Sequence, residues 1–139
     1  MAKYNFDDIK EVEYINEEGE YTLKIDKVAK DDDGNVTQIS ANKNTEFHKY
    51  ICKNKEGALI SVTLYITDNS MWKYRDFLKA CGVATKGFVF DSDTFDPTTL
   101  VGKKFIGSVR RCAPKLNIVT NQYEESKYFE VVKFMPIEE

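Results

Sequence analysis

The sequence predicts a mostly-β domain with one helix, and three observations carry that prediction. Several segments alternate apolar and polar side chains at period two, as half-buried strands do. One segment alone switches to the 3.6-residue period of a helix. Clusters of Gly, Asp and Asn separate these segments where turns are needed. With 139 residues, 42% hydrophobic and 13% aromatic, the chain has material for one core and no room for two.

In chain order, residues 1–19 form a polar segment ending in the loop Glu17-Glu18-Gly19. The run Tyr21 to Asp26 alternates as a first strand, and Asp31-Asp32-Asp33-Gly34-Asn35 reads as a turn. Val36 to Ile39 is expected to resume pairing. Glu46 to Lys53 is the second strand, with Phe47, Lys49 and Ile51 alternating with His48, Tyr50 and Cys52. After the turn Lys55-Glu56-Gly57, Ala58 to Thr67 is the third, with Ile60, Val62, Leu64 and Ile66 on one face and Ser61, Thr63 and Tyr65 on the other.

Asp68-Asn69-Ser70 then offers N-cap residues. Met71, Tyr74, Phe77, Leu78 and Cys81 share a helical face, and Gly82 stands where a terminating glycine belongs. Asp91 to Thr99 is a loop, Lys103 to Arg111 a fourth strand, and Cys112 to Lys127 a polar connection with room for a small hairpin. Tyr128 to Met135 is the last strand, stopped by Pro136. Three strands, a helix and two strands is the element order of a five-stranded OB-fold-like barrel. An SH3-like barrel or another small α+β domain has a similar string. The expected organisation is therefore a polar segment 1–19, an OB-fold-like domain 20–136 and an acidic end 137–139.

Catalysis finds little support. The one histidine, His48, shares a strand face with Cys52, a possible half-site for zinc that would have to borrow Cys81 and Cys112. A sheet-surface histidine with buried thiols is the simpler reading. Asp31 to Asp33 lacks the ligand ladder of a calcium loop, and Gly102-Lys103-Lys104 lacks the upstream glycine of a phosphate loop. No metal, cofactor or enzymatic activity is expected. Three widely spaced cysteines do not make a disulfide framework, which points to a reducing, cytoplasmic setting. Met1 to Lys10 has no apolar stretch of the secretory kind, and no run approaches a membrane span.

Charge is segregated. The first 33 residues carry five lysines against eleven acids, a balance of −6, while residues 34–139 carry fifteen bases against twelve acids, or +3. Two basic stretches stand out: 43–55, with Lys43, Lys49, Lys53 and Lys55 against Glu46, and 103–115, with five Lys and Arg and no acid. Cations that track a phosphate backbone, interleaved with aromatic faces on which bases stack, are what single-strand binding needs. The candidate set is Lys43, Lys49, Lys53, Arg110, Arg111 and Lys115, with Tyr50, Tyr65 and Tyr123 as stacking platforms. Phe47, Phe105, Phe129 and Phe134 are assigned to the core. A small β-barrel adaptor for another protein is the competing reading, favoured by the acidic start.

The segments Gly19-Glu20-Tyr21, Trp72 to Gly82, Leu100-Val101-Gly102-Lys103-Lys104-Phe105 and Val132-Lys133-Phe134-Met135-Pro136 follow one another in an order that resembles a family of small phage-encoded single-stranded-DNA-binding proteins. The resemblance runs from about Tyr21 to Pro136. It implies an OB-like fold, no enzymatic activity, and binding of single-stranded DNA with little sequence preference in the cytoplasm of a bacterial host. It also implies cooperation with a phage recombinase or replication protein. A homodimer would extend the groove, as OB-fold binders often do.

Overall fold

Alternation becomes pleated sheet in the structure, a computed structural model that describes residues 5, 13–41 and 44–137. Strand β1, Gly19–Val28, buries Leu23, Ile25 and Val28. The last interval is three rather than two because a β-bulge between Ile25 and Lys27 adds one residue and bends the strand. The bend gives β1 two partners. Its second half pairs with β3, Glu46–Lys53, and its first half with β5, Lys104–Arg111, both antiparallel. The two-residue β2, Gln38–Ile39, lies beside the start of β3, while β4, Leu59–Tyr65, runs along its other edge. On the far side of β5 lies β8, Phe129–Met135. Between them, β6, Lys115–Asn117, and β7, Gln122–Glu124, make the small hairpin expected in the long connection.

Helix α1, Met71–Ala80, falls where the 3.6 period places it. Ser70 occupies the N-cap position without a side-chain cap, its Oγ accepting instead from the Thr67 hydroxyl at 2.8 Å. Gly82 follows at φ +85°, a left-handed conformation that glycine takes without steric cost. The inner face of α1 buries Tyr74, Phe77, Leu78 and Ala80. Phe77 is fully buried, with ring centroids 4.9 Å from Tyr50, 5.3 Å from Phe105 and 5.2 Å from Phe134. Full burial of one such side chain stabilises by about 1.5–3 kcal/mol. A four-residue 3-10 turn, Pro97–Leu100, leads into β5, capped by Asp96, whose Oδ1 accepts from the Thr98 amide at 2.9 Å and hydroxyl at 2.6 Å.

Ladder order across the main sheet is β4, β3, β1, β5, β8, with β2 sharing an edge of β3 with β1. The expected barrel is not closed. Among the described residues no ladder joins β4 to β8, although their Cα atoms come within 8 Å. One reason is that the start of β4 is already engaged. The Ile15 amide donates to the Leu59 carbonyl at 2.9 Å and the Leu59 amide to the Glu13 carbonyl at 2.8 Å, with Ile15 buried. Part of the segment expected to be a polar lead-in is thus packed on the sheet. Farther along, side chains of Tyr65, Lys73, Phe129 and Glu130 line a slot of about 280 Å³ between the two strands. Helix α1 touches both β4 and β8 and so bridges the ends of the open sheet.

Candidate nucleic-acid interface

The interface is built from the parity of β3. His48, Tyr50 and Cys52 point inward and are fully buried, so Phe47, Lys49, Ile51 and Lys53 point outward. On β4 the outward residues are Ser61, Thr63 and Tyr65. The register sets Phe47 opposite Tyr65, Lys49 opposite Thr63, Ile51 opposite Ser61 and Lys53 opposite Leu59. Rings of Phe47 and Tyr65 meet at 5.7 Å, tilted by 52°. Tyr65 is 43% exposed. The outer face therefore runs from an aromatic pair, past Lys49, to Lys53, whose Nζ lies 3.2 Å from Asp26 Oδ1.

This parity corrects the assignment of three residues. Tyr50 cannot stack on a base: it is fully buried, and its hydroxyl bonds that of Tyr74. His48 is no surface histidine. It is buried, with Nδ1 2.7 Å from the Tyr74 hydroxyl and Nε2 3.0 Å from Thr37 Oγ1. Phe47, assigned to the core, is a half-buried member of the outer face.

The remaining candidates lie on β5 and on the hairpin that follows it. Arg110 is exposed, opposite Glu130 on β8. Arg111 is held. Its amide donates to Glu18 Oε2 at 3.0 Å, its Nη1 to the Ser126 carbonyl at 2.7 Å, and its guanidinium lies 4.9 Å from the centre of the Phe129 ring. Lys115 and Tyr123 belong to the hairpin, Lys115 opposite Glu124 and Tyr123 opposite Leu116, with Tyr123 74% exposed. Lys43 lies outside the described residues, as do Glu138 and Glu139.

Of the candidates, Tyr65 alone lines the slot between β4 and β8. Tyr65 lines one wall, and Phe129 and Glu130, the cross-strand partners of Arg111 and Arg110, line the other. Lys73 of α1 joins them there, a cation the sequence reading did not select. Lys24 and Lys104 were not selected either. Lys24 stands opposite Lys53 on one side and Lys104 on the other. Its outward direction is readable from β1's alternation; its neighbours are not, because register is a property of the paired strands.

The possible catalytic groups are tied into the core. Both ring nitrogens of His48 are engaged, and burial lowers its pKa, favouring the neutral ring. Burial pushes the Cys52 and Cys81 thiols well up, away from the thiolate a nucleophile or metal ligand needs. Burial raises the Tyr50 and Tyr74 hydroxyls likewise. Asp31 closes its turn by accepting from the amides of Asp33 at 3.0 Å and Asn35 at 2.8 Å. Among the described residues no three His, Cys, Asp or Glu side chains gather as a metal site, and no helix is long and apolar enough to cross a membrane. No protein-family model matches the chain, and no curated protein matches it.

Proposed function

We propose that this protein binds single-stranded DNA with little sequence preference and without catalysis, coating strands exposed during phage replication or recombination in the bacterial cytoplasm. One observation carries the reading: an outward aromatic pair, Phe47 and Tyr65, lies on the same sheet face as Lys49, two residues along β3. Bases stack on such rings without regard to sequence, because every base has a π-face, while lysines follow the phosphates. Tyr123, exposed on the hairpin that also carries Lys115, supplies a second platform. The ladder order and the helix between β4 and β5 favour an OB-like barrel, left unzipped along one seam.

The test is fluorescence anisotropy with a labelled single strand of about 30 nucleotides, against duplex and RNA controls, at two salt concentrations. Preference for the single strand with affinity falling steeply in salt is expected. Tyr65→Ala and Tyr123→Ala should each weaken binding about fivefold to hundredfold, the worth of one stacked base. Absence of binding at low salt overturns the proposal.

A specific feature favours a second reading, an adaptor for another protein. The hairpin tip carries Ile118 and Val119 at 91% and 93% exposure, beside the half-exposed Leu116. Contiguous exposed apolar residues mark contact sites more often than isolated ones do. The same titration separates the two, since an adaptor retains partner binding and ignores oligonucleotides.

A further inference from the structure

Three lysines stand side by side across three adjacent strands of the outer face. Lys53 of β3 is opposite Lys24 of β1, and Lys24 is opposite Lys104 of β5. Lys55, in the turn after β3, joins them around a concavity of about 140 Å³ whose remaining wall is Thr22 and Asn54. A half-open concavity of this size has room for ordered waters or for one phosphate group. Like charges directly opposite on neighbouring strands destabilise a sheet, so a row of three is an arrangement that stability alone disfavours. Asp26 offsets part of it through its ion pair with Lys53 at 3.2 Å. The rim adds neutral donors. Asn54 commits its Oδ1 to the turn, accepting from Glu56 N at 3.1 Å and Ala58 N at 2.8 Å, which leaves its amide NH₂ as the group on offer. Thr22 contributes a hydroxyl.

We propose that this cleft is a phosphate-binding site that grips the backbone of a bound single strand at the Lys53 end of the β3–β4 face. The inference deepens the proposed function and rests on it for the source of the phosphate. The cleft carries no aromatic ring, so it contributes affinity and salt dependence, while the Phe47–Tyr65 end supplies stacking. Each lysine that neutralises a backbone phosphate releases condensed counterions, and the logarithmic salt slope counts those contacts at about 0.7 each for single strands.

The experiment compares the whole protein with three variants: Lys24→Gln with Lys104→Gln, Lys24→Arg with Lys104→Arg, and Asp26→Asn. Two readouts are used, oligonucleotide anisotropy across salt and thermal melting at low ionic strength with or without inorganic tripolyphosphate. The double Gln variant is expected to melt higher than wild type in the absence of ligand, because the like-charge row is relieved. It should bind the single strand about tenfold more weakly, with a salt slope shallower by about one to two. The Arg variant should restore both affinity and slope, and Asp26→Asn, by freeing Lys53, should tighten binding. If wild type binds single strands but the Gln variant keeps its affinity and slope, the phosphate site is overturned and the proposed function stands. If wild type binds no strand, the proposed function falls and the cleft is judged by tripolyphosphate. Stabilisation of wild type that the Gln variant loses upholds a site for free phosphates; equal behaviour overturns it.

Discussion

His48 sits where a single proton decides between a satisfied and a strained interior. Its ring is fully buried between the Tyr74 hydroxyl and Thr37 Oγ1, and the Tyr50 hydroxyl completes the chain. Burial depresses its pKa in the folded protein below the ordinary value of 6.5. The unfolded chain therefore takes up the proton first as pH falls. Stability is full above about 6.5 and is lost as pH descends toward the depressed folded value. Because His48 is the chain's one histidine, the window is readable. Urea unfolding between pH 7.5 and 5.5 should show wild type losing stability on acidification. A His48→Gln variant, weaker at the outset, should follow a nearly flat line over the same range; parallel curves would refute the assignment. The same strand explains why Tyr50 was misread. Lys49 and Tyr50 are adjacent on a strand and cannot both face water, and a charge costs far more to bury than a phenol with a partner. Lys49 and Lys53 share a parity that could have fixed the outer face from the sequence. The mixed apolar content of both faces in Phe47 to Cys52 hid it.

At the scale of elements, strands and helix were legible because their periodicities are written in side chains. The long β1, the clean alternation of β4, the helix at Met71–Ala80 and the hairpin in the last connection all follow from local pattern. What local pattern does not carry is register. The bulges between Ile25 and Lys27 and between Ser108 and Val109 shift pairing by one residue without a sequence mark, and the Lys53–Lys24–Lys104 row exists only once three strands are aligned. One glycine does report on such alignment. Gly107 is buried in β5, flanked by β1 and β8, and a Cβ there would lie 2.8 Å from Leu23 Cδ1 and 3.1 Å from Val131 Cγ1. Gly107→Ala should destabilise the fold by about 1–3 kcal/mol through overpacking. Chemical denaturation measures it, and a neutral result would mean that β1 and β8 pack more loosely at this crossing.

On the whole molecule, the sequence conveyed the order of strands and the place of the helix but not the closure. Closure depends on whether two distant edges meet, and here residues 13–15 occupy the start of β4 and a slot separates the rest of it from β8. Arg111 is the corresponding tie at the other end. Through Glu18, Ser126 and Phe129 it fastens the start of β1 and the 112–128 connection to the end of β5. Arg111→Ala removes the Ser126 bond and the contact with Phe129. The expected outcome is faster proteolytic cleavage and amide exchange within 112–128, with a smaller fall in global stability. Equal loss throughout the chain would show that the connection unfolds only with the core.

An open sheet bent around a core behaves mechanically as a split ring rather than a hoop. A hoop shares any load among all its joints, whereas a split ring flexes most opposite its gap. Here the gap lies between β4 and β8, and the strand midway round is β1, already creased at its bulge. Spreading or narrowing the slot would break no ladder bond among the described residues, and what resists it is curvature at that crease together with the packing of α1 on both β4 and β8. The separation of Tyr65 on β4 from Glu130 on β8 is therefore set by the helix that spans them and by the crease in β1, not by hydrogen bonds across the seam.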